Sequence, residues 1–285
     1  MNRIAVIGAN GQLGSRLCEV LGERALPVTR TQMTLESYNV MGECIEQLNP
    51  DAIINAAAYT NVEKAEDEHD TAHNINCNGA AFLAVCARDA NIPYIHISTD
   101  YVFDGTKSAP YTEADATRAI NAYGKSKEEG EKAVMQANQN AFIARVSWLY
   151  DARGKNFFTT IADKLEANAP LKIISDQLGT PCFAPDIARA LVTLLDGGLP
   201  HGIHHLVHQG DTSWYGFATA IRTAMQAYIE PLGTIEAIPS SAYTTRAKRP
   251  ANSRLDASLL YTHHGLRLPL WNDAVERAVK ERYAH

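Results

Sequence analysis

Short, nearly continuous apolar runs alternate with segments of helical periodicity through most of the chain. The runs "RIAVIG", "ALPVTR", "DAIINAAA" and "IPYIHIS" are typical of parallel strands buried on both faces. Between them, "QLGSRLCEVLGE", "MGECIEQLNP" and "AHNINCNGAAFLAVCARDAN" are predicted to be helices. A charged helix, "INAYGKSKEEGEKAV", leads into a further strand, "NAFIARVSWLY". Strands that alternate with helices predict an α/β fold built on a parallel sheet.

A glycine-rich segment, "GANGQLG", places Gly8, Gly11 and Gly14 between the first strand and the first helix. Glycines at this point permit a tight turn, a close approach of the backbone to a pyrophosphate, and close packing of helix on strand. The helix N-terminus then faces the phosphates. The spacing is GxxGxxG rather than GxGxxG, so the prediction rests on the position of this segment between the first strand and the first helix. It predicts a doubly wound Rossmann sheet that binds a dinucleotide.

The periodic pattern loosens after about residue 168. The segments "LKIISD" and "EAIPS" and a proline-containing C-terminal region predict a smaller α+β lobe, whereas "PDIARALVTLLDG" and "GIHHLV" predict a helix and a strand that return to the main sheet. We therefore predict a dinucleotide-binding domain of residues 1–168 and 184–208. Residues 169–183 and 209–285 would form the substrate-binding lobe.

The end of the second strand bears on the choice of cofactor. The segment "PVTRT" offers Arg30 where a carboxylate would normally hold the adenosine ribose. A guanidinium suits a 2′-phosphate, so we predict NADPH. Arg30 could instead stack on the adenine or remain solvated, so NADH remains possible.

Composition narrows the classes of partner. Lys and Arg number 26 against 32 Asp and Glu in 285 residues, so the net charge of −6 disfavours a nucleic-acid binder. The five cysteines are scattered without a CxxC, which indicates a reducing compartment, and there is no apolar run of membrane length. We therefore predict a cytoplasmic protein that does not bind membranes. In "HGIHHLVH", His204 and His205 would point to opposite faces of a strand, so we predict no metal site there.

A candidate catalytic set follows the fourth strand. Ser98, Thr99 and Asp100 lie at the carboxyl edge where open α/β sheets bind ligands, and Tyr123 and Lys127 share one face of the next helix. By itself the tyrosine–lysine pair would usually be a half-buried ring beside a solvated lysine. Together with the glycine loop and a hydroxyl at the strand end, the pair indicates an acid whose pKa a fixed cation lowers. Either Ser98 or Thr99 could donate a hydroxyl to a substrate oxygen.

This ordered set resembles the short-chain dehydrogenase/reductases of the extended type. The blocks "GANGQLG", "INAAAYTNVEKAE", "STDYVFDG", "NAYGKSKEEGE", "RVSWLY", "SDQLGTP" and "RPANSRLD" also occur in the order seen in dTDP-4-dehydrorhamnose reductases. The chain departs from that family where relatives carry alanine and aspartate in place of Asn61 and Glu63, threonine in place of Cys182, and a Leu-Asp pair in place of Met33 and Thr34. These departures bear on fine substrate and cofactor preference, not on the reaction class.

The resemblance implies a reaction and assigns residues to it. It implies reduction of the 4-keto group of dTDP-4-dehydro-6-deoxy-L-mannose, with Tyr123 as proton donor. Lys127 would lower the pKa of that tyrosine and hold the nicotinamide ribose, and Thr99, rather than Ser98, would stabilise the developing oxyanion. The implied cofactor residues are Gly8, Asn10, Gly11, Gln12, Leu13, Arg30, Thr34, Leu35, Ala57, Ala58, Tyr59, Ile97, Tyr123 and Lys127. The implied substrate residues are Thr99, Asp100, Tyr101, Trp148, Arg249 and Asn252.

A basic segment, "RAKRPANSR", stands out in this acidic chain. Its arginines could cradle the substrate diphosphate, since guanidinium forks match phosphate oxygens, or the segment could be a solvated basic face. Some relatives use Mg²⁺ between subunits, but no convincing carboxylate cluster is present in the sequence, so Mg²⁺ remains uncertain. Two other functions stay open, a different nucleotide 4-keto-deoxysugar reductase and a non-catalytic regulatory subunit that binds NADP. We expect a monomer or a homodimer.

Overall fold

A parallel sheet of six strands, in the order β10-β5-β4-β3-β1-β2, forms the centre of the computed structural model, which describes residues 1–284. Its strands are β1 (Ile4–Ile7), β2 (Ala25–Val28), β3 (Ala52–Asn55), β4 (Tyr94–Thr99), β5 (Phe142–Val146) and β10 (Gly202–His205). Every neighbouring pair is parallel. Because helices cover both faces, β1, β3 and β5 are wholly buried. The predicted doubly wound α/β fold is confirmed.

Two apolar cores lie on opposite faces of this sheet. Alternate residues of β1 divide between them, with Ile4 and Val6 in one core and Ala5 and Ile7 in the other. Helices α1 (Gln12–Leu21) and α8 (Ala184–Gly198) cover the first face. The second face is covered by α2 (Tyr38–Leu48), α5 (Ala80–Asp89) and α6 (Ala122–Ala137). No helix within residues 1–284 is long and apolar enough to cross a membrane.

The segment predicted as one long helix before β4 contains a change of helix type. Two short helices, α3 (Val62–Ala65) and α4 (His69–His73), come first, and a π-helical stretch, Asn74–Gly79, joins α4 to α5. The side chain of Asn76, in this stretch, accepts from the Tyr59 amide at 2.8 Å and donates to the Tyr59 carbonyl at 3.0 Å. The π-helical stretch therefore holds the loop after β3 in place.

The chain bends where the sequence predicted one strand through "NAFIARVSWLY". Strand β5 ends at Val146, and β6 (Leu149–Tyr150) pairs instead with β9 (Cys182–Phe183). Between them, Trp148 has a backbone φ of +40°, in the left-handed region that non-glycine residues seldom adopt. The bend takes the chain out of the main sheet and turns the Trp148 side chain toward the second lobe.

The second lobe has its own core, formed between helices and short strands. Its helices are α7 (Phe157–Glu166), α9 (Trp214–Met225) and α11 (Trp271–Tyr283), and its strands include β7 (Leu171–Ile174), β8 (Leu178–Gly179), β11 (Thr212–Ser213) and β12 (Ile235–Ile238). Helix α10 (Ser258–His264) instead packs through Leu260 into the core on the first face of the main sheet. Phe158 and Leu165 of α7 pack in the same core as Phe217 and Val275. The division into domains stays a prediction, but this packing favours placing α7 with the second lobe.

Candidate active site

The glycine loop has no room for side chains at two positions. Gly8 has a φ of +81°, and a Cβ there would lie 2.8 Å from the backbone of Ala57. A Cβ on Gly14 would lie 2.1 Å from the Gly8 carbonyl oxygen. These short backbone distances bring the glycine turn, the start of α1 and the loop after β3 together. The predicted cofactor residues lie on these three segments.

The N-terminus of α1 is suited to an anion. Gly11 occupies the N-cap and supplies no side chain to the first amides of the helix. The Gln12 side-chain oxygen is buried without a hydrogen-bond partner among the described residues, Asn10 is exposed beside it, and Leu13 packs into the core. Amides that no side chain covers, at the positive end of a helix dipole, fit the pyrophosphate of a dinucleotide.

The region after β2 contains a carboxylate that sequence reasoning missed. The Arg30 side chain is 81% exposed, and its guanidinium lies 3.6 Å from Glu36. Glu36 also accepts from the Thr34 hydroxyl at 3.3 Å, whereas the Leu35 side chain is buried in the core. We did not predict a carboxylate near Arg30 from the sequence, because Glu36 lies well beyond the end of β2. The turn of the chain after β2 brings Glu36 back to Arg30.

Tight backbone contacts position α6 against the end of β4. Asn121 caps the helix by accepting from the Gly124 amide at 2.7 Å. A Cβ on Gly124 would lie 2.2 Å from the Tyr101 carbonyl oxygen, so the helix approaches the strand end as closely as the backbone allows. Tyr101 and Tyr123 meet edge to face at 6.0 Å between ring centroids. The structure thus brings the predicted catalytic tyrosine to the carboxyl edge of the sheet.

The hydroxyls of Ser98 and Thr99 face different surroundings. Ser98 Oγ donates to the buried carboxylate of Glu131 at 2.5 Å, beneath the cleft. Thr99 Oγ1 donates to Asp100 at 3.1 Å, and its hydroxyl also opposes the rise in the pKa of Tyr123. Because strand neighbours point to opposite sides, Thr99 and not Ser98 lies beside the tyrosine.

Burial dominates the acidity of Tyr123. It raises the pKa of the phenol to about 12; the nearby Thr99 hydroxyl opposes the rise and the Asp100 carboxylate adds to it. The sequence predicted a pKa lowered by Lys127, but the pKa of Tyr123 is raised, so this prediction is wrong. The physical reason is that Lys127 Nζ is held by β4, so its charge does not outweigh the desolvation of the phenol.

Lys127 is 1% exposed and lies between α6 and β4. Its Nζ donates to the Ile97 carbonyl at 2.6 Å and lies 3.1 Å from His96 Nε2. Burial lowers the pKa of Lys127 to about 8, and the nearby Glu131 carboxylate opposes this change. Sequence reasoning missed His96 and Glu131. The available signals were a histidine inside an apolar strand and a carboxylate one helical turn after the lysine.

The predicted substrate residues fall into two groups. Asp100 is 2% exposed and accepts from Ser147 Oγ at 3.0 Å, and Trp148 stacks on Trp214 with 3.6 Å between ring centroids. Asn252, by contrast, is held by the protein itself. Its amide donates to two backbone carbonyls, Lys107 at 2.6 Å and Ala109 at 2.9 Å, and its oxygen accepts from Arg254. The structure therefore does not bring Asn252 to the cleft as a free contact.

The arginines of the basic segment line two different cavities. Arg249 pairs with Glu63 at 2.6 Å, and Arg246 pairs with Asp67. These side chains line a cavity of about 450 Å³ together with Tyr243. Arg254 lines the other cavity, beside Asp256, and donates to the Ser108 carbonyl at 2.5 Å. Within residues 1–284, no group of three or more His, Cys, Asp or Glu side chains is placed to hold a metal ion.

Comparisons with known proteins agree with this geometry. The family described as the RmlD substrate binding domain matches residues 1–284. A dTDP-4-dehydrorhamnose reductase from Burkholderia thailandensis is 39% identical over 294 residues, covering 98% of each chain. The crystal structure of a dTDP-4-dehydrorhamnose reductase from Clostridium acetobutylicum is similar with a TM-score of 0.93 at 32% identity, covering 98% of this chain and 99% of that one. The Bacillus anthracis enzyme, solved in complex with NADP, has a TM-score of 0.92 at 30% identity over the same shares.

Asp100 should make stability depend on pH. Burial raises its pKa from 3.8 to about 6, so the folded protein binds this proton more tightly than the unfolded chain. Its stabilising contribution is complete below pH 3.8 and is lost as the pH rises through about 6. Relative to wild type, Asp100→Asn should therefore gain on the order of 1–3 kcal/mol of unfolding free energy between about pH 5 and about pH 8, measured by chemical denaturation.

Asp115→Asn serves as the matched control. The hydrogen bond from Lys107 lowers the pKa of Asp115 to about 2, so this carboxylate is ionised at both pH values in the folded and the unfolded chain. Its replacement should change the unfolding free energy by the same amount at both. Equal pH dependence in the two variants would contradict the assignment to Asp100.

Proposed function

Because the chain belongs to the dTDP-4-dehydrorhamnose reductase family, we propose that it reduces dTDP-4-dehydro-6-deoxy-L-mannose to dTDP-L-rhamnose with NADPH. The observation that carries the proposal is the close packing of α6 on the carboxyl end of β4, where Thr99 ends the strand and Tyr123 lies in the first turn of the helix, with Lys127 one helical turn further along. An NADP-binding regulator would have no need of this acid. The glycine loop and the uncovered N-terminus of α1 would hold the dinucleotide.

The chain's own residues supply the proton and stabilise the charge. When bound, the nicotinamide supplies a hydride to the keto carbon. A phenol whose pKa is raised to about 12 keeps its proton at neutral pH, so Tyr123 is ready to donate it to the keto oxygen. The Thr99 hydroxyl donates to the same oxygen as negative charge develops there. The Lys127 ammonium stabilises the phenolate that proton transfer leaves behind.

Tyr123→Phe tests the reaction directly. The variant should keep its NADPH affinity and lose on the order of 10²–10⁴-fold in turnover, because only the proton donor is removed. Turnover is followed as NADPH oxidation with enzymatically prepared dTDP-4-dehydro-L-rhamnose, and the product is identified by NMR. Tyr150→Phe is the matched control, since this buried hydroxyl has no hydrogen-bond partner among residues 1–284 and lies in the second-lobe core.

Two results would reject the proposal. A Tyr123→Phe variant with turnover close to that of wild type would remove the tyrosine from the mechanism. Wild-type protein that binds NADPH without turning over this substrate would favour the regulatory subunit. Product with a different sugar configuration would instead favour another 4-keto-deoxysugar reductase.

The preference for NADPH over NADH rests on Arg30. Its exposed guanidinium is available for a 2′-phosphate, and only one carboxylate, Glu36, lies near it at 3.6 Å within the described residues. Glu36 would repel that phosphate, so the two side chains act in opposite directions. We infer that the charge-assisted contact with Arg30 is the larger effect.

Arg30→Ala should therefore weaken NADPH binding by about tenfold or more and leave NADH binding nearly unchanged. Dissociation constants for both cofactors are measured by fluorescence titration. Arg88→Ala is the control, because Arg88 donates to the Ala137 carbonyl at the far end of α6. Equal losses for the two cofactors would show that the arginine does not contact the 2′-phosphate.

Arg249 is proposed to hold the substrate diphosphate. It lines the cavity near Tyr101, whose pKa it helps to lower against the effect of burial, and it is balanced by Glu63 at 2.6 Å. The alternative is an ion pair that merely joins the loop after β3 to the second lobe. The two interpretations predict different effects on substrate binding when Arg249 or Glu63 is replaced.

Arg249→Ala should weaken sugar-nucleotide binding by about tenfold or more, with unchanged NADPH affinity. Glu63→Gln should retain or tighten substrate binding, because the guanidinium loses its internal partner. Lys172→Ala, which removes an exposed ion pair with Glu236, controls for loss of surface charge. If both site variants lower the melting temperature without a change in substrate affinity, the ion pair is structural and the cradle is rejected.

Three predictions from the sequence remain predictions. These are a cytoplasmic location, the monomeric or dimeric state, and the uncertain need for Mg²⁺. Each concerns a property of the protein in solution or in the cell.

A further inference from the structure

A buried histidine lies directly behind the proposed catalytic lysine. His96, in the middle of β4, is 0% exposed. Its Nε2 is 3.1 Å from Lys127 Nζ, and its Nδ1 is 3.3 Å from the side-chain nitrogen of Asn55 on β3. Asn55 is held in turn, since its oxygen accepts from the Ala57 amide at 3.2 Å. The proposed roles of Tyr123 and Lys127 do not involve His96 or Asn55.

The two neighbours of the ring decide its protonation state. An imidazolium donates from both ring nitrogens, and here both would point at nitrogen donors. The Lys127 charge acts in the same direction as burial, and the pKa of His96 falls well below its usual value, mainly because of burial. His96 is therefore neutral, with one nitrogen that accepts and one that carries a proton.

The two contacts compete for the ring. Nε2 can accept from the Lys127 ammonium only when the ring proton lies on Nδ1, where it faces the Asn55 amide nitrogen, which is also a donor. The contact with Lys127 is the shorter of the two and is charge-assisted, so we expect it to set the tautomer. A leucine in this position could not accept from Nζ. Lys127 would then keep only the Ile97 carbonyl, at 2.6 Å, as a partner within the sheet.

We propose that His96 is a positioning residue for the reaction, which holds Lys127 Nζ by accepting its hydrogen bond at Nε2 and so sustains its ammonium form. The proposal rests on the proposed function for its catalytic consequence, but not for its effect on the lysine itself. Buried charges need hydrogen-bond partners, and His96 is the only side chain within the described residues that contacts Nζ at hydrogen-bond distance.

Other titratable groups face the same region from each packed element. They are Tyr94 on β4, Asp100 just after it, Arg145 on β5, Tyr123 and Glu131 on α6, and the exposed His73–Glu129 pair between α4 and α6. Arg145 is paired with Glu131 at 2.7 Å, which limits the net charge that either presents. Substitution of His96 leaves all of these in place, so a change in the lysine can be assigned to the histidine.

The direct test is the pKa of Lys127 in the free protein. It is measured by NMR on protein with ¹³Cε-labelled lysine, and the resonance is assigned with Lys127→Arg. In His96→Leu the pKa should fall by about one pH unit or more, because an ammonium loses a charge-assisted acceptor. In His96→Gln, whose amide can accept or donate at a similar reach, it should return most of the way to the wild-type value.

His204→Leu is the matched control, because it removes another buried histidine from the same sheet, on β10. This substitution should leave the pKa of Lys127 unchanged. A Lys127 pKa that is the same in wild type, His96→Leu and His96→Gln would overturn the proposal and leave His96 as a packing residue. A fall of equal size in His204→Leu would overturn it as well.

The catalytic consequence is read from the reverse reaction, oxidation of dTDP-L-rhamnose with NADP⁺. This direction needs the Tyr123 phenolate, which the Lys127 ammonium stabilises, so its rate should fall as the pH rises through the pKa of Lys127, about 8. That falling limb should move to lower pH in His96→Leu but not in His96→Gln. A lower rate without movement of the limb would contradict the positioning role. Wild-type protein that is inactive in both directions would reject the proposed function, and the NMR titration would still decide the role of His96.

Discussion

The burial of one cation, Lys127, is the constraint on which the proposed site depends. Removing an ammonium from water is unfavourable unless the protein replaces the lost hydrogen bonds. The replacement comes from β4 alone, through the Ile97 carbonyl and the His96 ring, while Glu131 compensates the charge from the same helix. The pKa of Lys127 still falls to about 8. A charge held this close to its titration point is sensitive to any partner that is gained or lost.

Glycines allow the helix that carries this cation to sit so close to the sheet. A Cβ on Gly124 would lie 2.2 Å from the Tyr101 carbonyl oxygen, and one on Gly130 would lie 2.1 Å from the Asn76 carbonyl oxygen. Any side chain at either position would push α6 outward and separate Lys127 from its partners on β4. The same close packing lets Asn76 reach Ser126 at 2.9 Å while it holds the loop after β3. The proposed cofactor wall and the proposed catalytic helix are therefore one packed unit.

Polar contacts join the main sheet and its helices to the second lobe, which has a separate core. Arg16 of α1 forms a bidentate pair with Asp151, at 2.6 and 2.5 Å, and also reaches Glu281 of α11. On the other side, the Asn121 side chain that caps α6 also donates to the Lys248 carbonyl at 2.8 Å. The Arg16–Asp151 pair is buried, and breaking a buried ion pair is strongly destabilising, so this contact fixes α1 against the chain after β6.

Features that depend on local spacing can be predicted from the sequence. The alternation of apolar runs and helical segments predicted the doubly wound sheet, and the positions of Gly8, Tyr123 and Lys127 predicted the cleft, because neighbours on one helix or one strand end are set by backbone geometry. The contacts between groups on different elements depend on the tertiary structure. It placed His96 against Lys127, brought Glu36 to Arg30, committed Asn252 to backbone carbonyls, and raised the pKa of Tyr123 by burial. Register, helix packing and desolvation set these contacts, and none of the three can be read from the spacing of residues along the chain.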